Sequence, residues 1–199
     1  MVSSHAIKKI IILFTSIFYL GCNTHTKELN TFNEGIKLKS GDIICRLGNG
    51  YFSKFFKRYS VKEKKYSHIG IISIQNDSIF VYHSEASELT GVGKVKREVI
   101  HSFLNKIKTY GIYRINSNEF IKEKIVNEAE LYYKDETKFD LNFDLTNDDE
   151  VYCSELVANS INKGFQKKVI RPNIIFNDKE FYGIDDIYLN KELKLVYTN

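Results

Sequence analysis

Three cysteines and five histidines are the residues of this chain best suited to nucleophilic chemistry, and few of them stand where it could use them. Cys153, in V-Y-C-S-E-L-V, follows the run T-N-D-D-E and opens a segment that reads as helix. Taken alone, it is most simply a small apolar residue filling a helix contact. Yet Thr146, Asn147 and the acids up to Glu150 offer capping groups, which would put the cysteine in the first turn of that helix. There the helix dipole and free N–H groups favour a thiolate, and the same N–H groups suit an oxyanion formed during acyl transfer. Such a nucleophile needs a base. His68 (Y-S-H-I-G-I) lies eight residues before Asn76, and His83 (V-Y-H-S-E) lies six after Asp77. A hairpin turning at Asn76-Asp77 therefore brings both to one end of a sheet. Glu85, two residues past His83 and on the same strand face, is the other group that could orient the base. His101 begins a predicted helix and reads as structural. No C-x-x-C, H-E-x-x-H or acidic calcium loop occurs, so the sequence supports no metal site and implies no cofactor.

The elements that must hold these residues follow from periodicity and turn signals. Gly41-Asp42 turns into a short strand, Ile43 to Leu47, and Asn49 to Tyr59 reads as an amphipathic helix. The two runs S-H-I-G-I-I-S-I and S-I-F-V-Y-H-S around Q-N-D form the hairpin. V-G-K-V-K-R-E-V and K-T-Y-G-I-Y-R-I read as further strands. Ser117 is a candidate N-cap for a helix from about Asn118 to Tyr133. The later helix runs from Cys153 to Lys163, with Gly164 as its C-cap, and E-L-K-L-V-Y returns as an edge strand. Strands grouped in the middle with helices before and after predict an α+β fold, an antiparallel sheet with helices packed to one side.

The first residues are set aside from the fold. H-A-I-K-K is a basic start, and the apolar run from Ile10 to Leu20 is too short to span a bilayer comfortably. It ends in Y-L-G-C, which resembles a bacterial lipobox, with Tyr19 where leucine is usual. The expected organisation is a lipoprotein signal peptide over 1–21, lipidation at Cys22, a polar tether over 22–37 and a catalytic domain over 38–199. A lipid at Cys22 would tie the protein to a membrane of the cell envelope, periplasmic or outer. Residues 1–21 hold two lysines and no acid, so removing them lowers the net charge from +4 to +2. That balance argues against nucleic acid as a partner. Lys54, Lys57, Arg58, Lys62, Lys64 and Lys65, with Phe52, Phe55 and Phe56 interleaved, form one basic stretch. An anionic membrane or wall surface would fit it, but a solvated amphipathic helix explains it more simply. After Cys22 only Cys45 and Cys153 remain, which is no disulfide framework.

The blocks G-D-I-I-x-R-x-G-N, Y-S-H-I-G-I, V-Y-H-S and Y-C-S-E-L-V, in that order, resemble the YiiX/YebB-like permuted papain-like family. That family is related to NlpC-type cell-wall peptidases and, distantly, to lecithin:retinol acyltransferase. The resemblance runs from about Gly41 to Val196. It implies a circularly permuted papain-like fold, with histidine before cysteine in the chain. It also implies Cys153 as nucleophile, His68 as base and His83 in the third, polar position, with Tyr152, Glu155 and Glu85 as supporting candidates. Tyr152 would border the oxyanion site and Glu155 would make a supporting hydrogen bond. Asp42 and Arg46 match the family's entry motif, where an ion pair bracing the strand is the simple reading, and Cys45 falls to the core. The expected activity is hydrolysis of an amide in a cell-wall peptide or related envelope substrate through a thioester. The alternatives are a lipid esterase or acyltransferase and a non-catalytic envelope binding module.

Overall fold

The computed structural model describes residues 35–147, 149–176 and 178–199, without the Phe176 side chain. The signal peptide, Cys22 and most of the tether lie outside the described residues. Within them the chain runs β1 (Ile43–Arg46), α1 (Tyr51–Tyr59), β2 (His68–Gln75), β3 (Ser78–Ala86), β4 (Gly93–Val99) and a short α2 (Ile100–Phe103). It continues with β5 (Tyr110–Ile115), α3 (Glu119–Lys134), α4 (Cys153–Phe165), β6 (Ile174–Phe176), β7 (Lys179–Phe181), α5 (Ile184–Tyr188) and β8 (Leu193–Thr198). Six strands form one antiparallel sheet in the order β4-β3-β2-β1-β5-β8, while β6 and β7 pair separately. The expected α+β class is what the chain adopts, with the C-terminal run as the sheet's edge strand. No helix among the described residues is long and apolar enough to cross a membrane.

Strand alternation gives the sheet two apolar faces. Ile43, Cys45, Ile69 and Ile71 point to the face that packs against α3 and α4. Ile44, Ile72, Val81 and Ile112 point to the other, where Phe103, Leu104 and Ile107 of α2 and its following turn cover them. Cys45 is buried in the first of these cores, as expected. The long helices thus lie on one face and a short helix closes the second. The β2–β3 turn is where the sequence puts it. Asn76 and Asp77 both adopt positive φ (46° and 62°), with Gln75 paired to Ser78, the left-handed geometry of a two-residue hairpin loop. Glycine favours that conformation more than aspartate. Asp77→Gly is therefore expected to raise stability by about 0.5 kcal/mol, read as a rightward shift of the urea midpoint with unchanged slope.

Several local expectations are corrected. Asn118, not Ser117, caps α3, its side chain accepting from Ile121 N. Gly164 does not end α4. The helix runs on to Phe165 and is closed by Gln166 in the left-handed region (φ 55°). Gly164 instead lies where α3 crosses, since a Cβ there would meet Ile125 Cγ1 at 2.4 Å. Its missing side chain serves helix–helix contact rather than a turn. Asp42 and Arg46 do not pair with each other. Asp42 is held by Arg114 of β5 at 2.7–2.8 Å, and Arg46 reaches Glu85 of β3 at 2.6 Å. Each reaches a partner on another strand, which brings oppositely charged groups together more closely than residues four apart along one extended strand. The phenylalanines of the basic stretch are spent on the core. Phe56 is buried and stacks with Phe181, while Phe55 stacks on Phe143 at 4.9 Å. The cations of α1 face outward, the solvated-helix arrangement.

Candidate active site

The site lies where β2 and β3 part. Their ladder runs from Gln75 opposite Ser78 to Ile71 opposite Tyr82 and goes no further, although both strands continue. Gly70 permits the close approach there, because a Cβ would come within 3.2 Å of His83 Cβ and 2.8 Å of Tyr82 O. His68 opens β2 and pairs with Arg46 of β1, and His83 sits opposite Lys96 of β4. The two imidazoles meet on one face, His68 Nε2 lying 2.9 Å from His83 Nδ1 with their rings nearly perpendicular. Phe103 backs both rings and carries the Arg46 guanidinium 4.4 Å above its centroid. The β2–β3 register, carried on past its last pair, puts both histidines on the same face.

Burial favours the neutral form of both histidines. Burial pushes His68 well below its ordinary value, and Arg46, His83 and Lys96 press in the same direction. Burial also lowers His83, against an opposing pull from Glu98 and Glu85. Glu85, the alternative orienter, has Oε1 on Arg46 and Oε2 on Lys96 at 3.0 Å. Its carboxyl is held below the usual range, the pull of Arg46 and Lys96 acting against a desolvation cost. The residue that sequence reasoning missed is Glu98, whose Oε2 stands 3.3 Å from His83 Nε2. The V-K-R-E-V alternation marks it as same-faced with Lys96, but only the β3–β4 register reveals that this face is His83's.

Cys153 opens α4, as expected, and the turn around it is tightly fixed. Ser84 Oγ donates to Val151 O at 2.6 Å, Ser154 Oγ donates to Tyr182 O, and Tyr182 N donates to the Tyr152 hydroxyl. Glu155 makes the supporting bond expected of it, accepting from Tyr152 N at 3.3 Å. The Tyr152 hydroxyl is thus engaged by a backbone amide, and its ring stacks on Phe181 at 4.8 Å. The backbone N–H groups of Ser154 and of Ile69, which lies beyond the end of the β2–β3 ladder, do pull the Cys153 thiol toward ionisation. The expectation of a favoured thiolate nevertheless fails at rest. Complete burial outweighs those N–H groups and pushes the thiol up to about 12. The thiol approaches the strand end from the α4 face, one residue along from His68, and none of the described hydrogen bonds joins it to either imidazole. In this arrangement both partners are uncharged, so proton transfer belongs to the reaction and not to the resting state. Alkylation of Cys153 by iodoacetamide is accordingly expected to be slower than that of free cysteine at pH 7. Its rate should still climb between pH 8 and 10, without levelling at an ordinary thiol's pKa, as followed by peptide mass mapping.

A cleft of ≈ 540 Å³ opens beside His68. Arg46, Glu85 and Lys96 form its polar wall, and Phe52, Phe56 and Phe139 form its apolar one. Glu88 ties its rim together by accepting from the N–H groups of Tyr51 and Phe52 at the start of α1. His68, His83 and Glu85 also bring one potential metal-ligating atom each within 4.8 Å of one another. The two ring nitrogens, however, face each other along a hydrogen bond instead of converging on a common point, and two cations already hold Glu85. The cluster fits a proton relay better than a metal centre.

Known proteins agree with this architecture. A crystal structure described as metalloprotein yiiX from Escherichia coli O157:H7 superposes with a TM-score of 0.67 at 18% identity, covering 81% of this chain and 97% of that one. At that identity the likeness speaks for the fold. No curated protein matches the chain. The sequence profile of the permuted papain-like amidase enzymes, YaeF/YiiX, C92 family, matches residues 37–180. With that profile spanning most of the chain and the fold shared with yiiX, this protein belongs to the permuted papain-like amidase family.

Proposed function

We propose that the chain is a thiol amidase in which Cys153 attacks the carbonyl, His68 is the base and His83 orients His68. The observation that carries this reading is the buried 2.9 Å His68–His83 hydrogen bond, whose His68 end lines an open cleft. His83 is preferred to Glu85 as third member because Glu85 is engaged by Arg46 and Lys96. When substrate enters, His68 takes the Cys153 proton and the sulfur adds to the carbonyl carbon. The proton then passes to the leaving amine as the C–N bond breaks, leaving a thioester that water hydrolyses. Tyr152 and Glu155 support the turn that carries the nucleophile. Because Cys153 is buried and does not line the cleft, acylation requires the cleft floor to yield.

The substrate in this reading is an amide of a cell-wall peptide or related envelope molecule, reached by a protein lipidated at Cys22 and anchored to an envelope membrane. A second reading, lipid ester hydrolysis or acyl transfer, draws on the cleft's phenylalanine wall. Pure protein incubated separately with peptidoglycan fragments and with phospholipid vesicles, with products identified by mass, distinguishes them. Release of a peptide fragment supports the amidase reading, and fatty acid or acylated acceptor supports the second. No product from either, in any preparation, would favour a binding module.

A further inference from the structure

A neutral imidazole carries one proton on two nitrogens, so the partner of one nitrogen dictates the role of the other. His83 Nδ1 is engaged with His68 Nε2. Its Nε2 is buried, lies outside any aligned hydrogen bond, and faces Glu98 Oε2 at 3.3 Å. A lone pair held that near a carboxylate is repelled, whereas an N–H is attracted. The proton of His83 therefore belongs on Nε2, which leaves Nδ1 as an acceptor. His68 must then donate from Nε2, and its remaining lone pair is on Nδ1. We infer that Glu98 is a positioning residue which, acting through His83, fixes His68 in the tautomer whose unprotonated Nδ1 can serve as the base.

The other charged groups around the pair do not compete for this role. Arg46 and Lys96 are donors only and are committed to Glu85, whose two oxygens they occupy. Among the described residues, no lysine or arginine lies within ion-pair distance of Glu98, so its carboxylate is left to His83. Glu98 is about a third exposed on edge strand β4, which makes it replaceable without opening the core. The catalytic meaning of the inference rests on the thiol amidase reading, but the tautomer assignment does not, and the two can fail separately.

The test is nitrogen-15 NMR on the whole protein with labelled histidine, alongside turnover of p-nitrophenyl acetate. The wild type is expected to show protonated Nε2 and unprotonated Nδ1 in both His68 and His83. Glu98→Ala should move both rings toward the opposite tautomer and lower kcat on the order of 10- to 100-fold with little change in KM. Glu98→Asp should restore the tautomers and part of the rate, a rescue that a merely structural role would not require. The inference is overturned if the wild type shows the opposite tautomers, or if Glu98→Ala leaves the ring nitrogens unchanged whatever happens to the rate. Should the tautomers switch as expected while Cys153→Ala turns over normally, the assignment stands and the amidase reading fails.

Discussion

Cys153→Ala is expected to remove amidase turnover, at least ~10³-fold, while Cys45→Ala keeps it. Both thiols are fully buried and both belong to the core beneath α4, so burial alone does not separate them. Their surroundings do. Cys45 lies mid-sheet on β1 with a paired strand on each side, while Cys153 stands in the first turn of α4, where the Ser154 and Ile69 N–H groups pull toward its thiolate. The comparison also controls for stability. Each substitution removes one buried sulfur, at a cost of about 1 kcal/mol, so both variants should melt within a few degrees of the wild type by calorimetry. Equal loss of activity in the two would point to packing, not to a nucleophile.

The largest expected effect on stability is at Asp42. Its carboxylate is fully buried and accepts from Arg114 Nε and Nη2 and from Lys39 N. Asp42→Ala leaves a guanidinium that is itself only 17% exposed without its partner. The expected loss is about 3 kcal/mol, the low end for a broken buried pair because Arg114 keeps some water. In a domain of this size that is roughly 6 to 12 °C in melting temperature. Replacing both members, with Asp42→Leu and Arg114→Met, should recover part of the loss, since no buried charge is then stranded. A double variant as unstable as Asp42→Ala would show that the charges matter through something other than each other.

These two sites also mark how much could be read from the chain. The β2–β3 hairpin, the order of His68 before Cys153 and the α4 start at Cys153 were all legible, because each depends on residues close in sequence. Alternation put Cys45 in the core and Ile44 on the opposite face, and the structure agrees. What could not be read is which strands become neighbours. Arg114 lies 72 residues from Asp42, and Glu85 lies 39 from Arg46. Both pairings follow from the order β3-β2-β1-β5, which no local pattern encodes. Glu98 was missed for the same reason, though its strand was recognised. The state of the Cys153 thiol was misjudged because a helix N-terminus is visible in sequence and the depth of burial is not. Gly164 illustrates a different limit, since a glycine near a helix end and a glycine under a crossing helix look alike in one dimension.

The central claim is that Cys153 carries the acyl group. Rapid acid quenching of the whole protein after mixing with a peptidoglycan fragment, followed by intact and peptide mass, measures it directly. The account predicts an added acyl mass on the peptide containing Cys153 that hydroxylamine removes and that is missing from Cys153→Ala. Product formation with no acyl group on Cys153, and with Cys153→Ala still active, would contradict it.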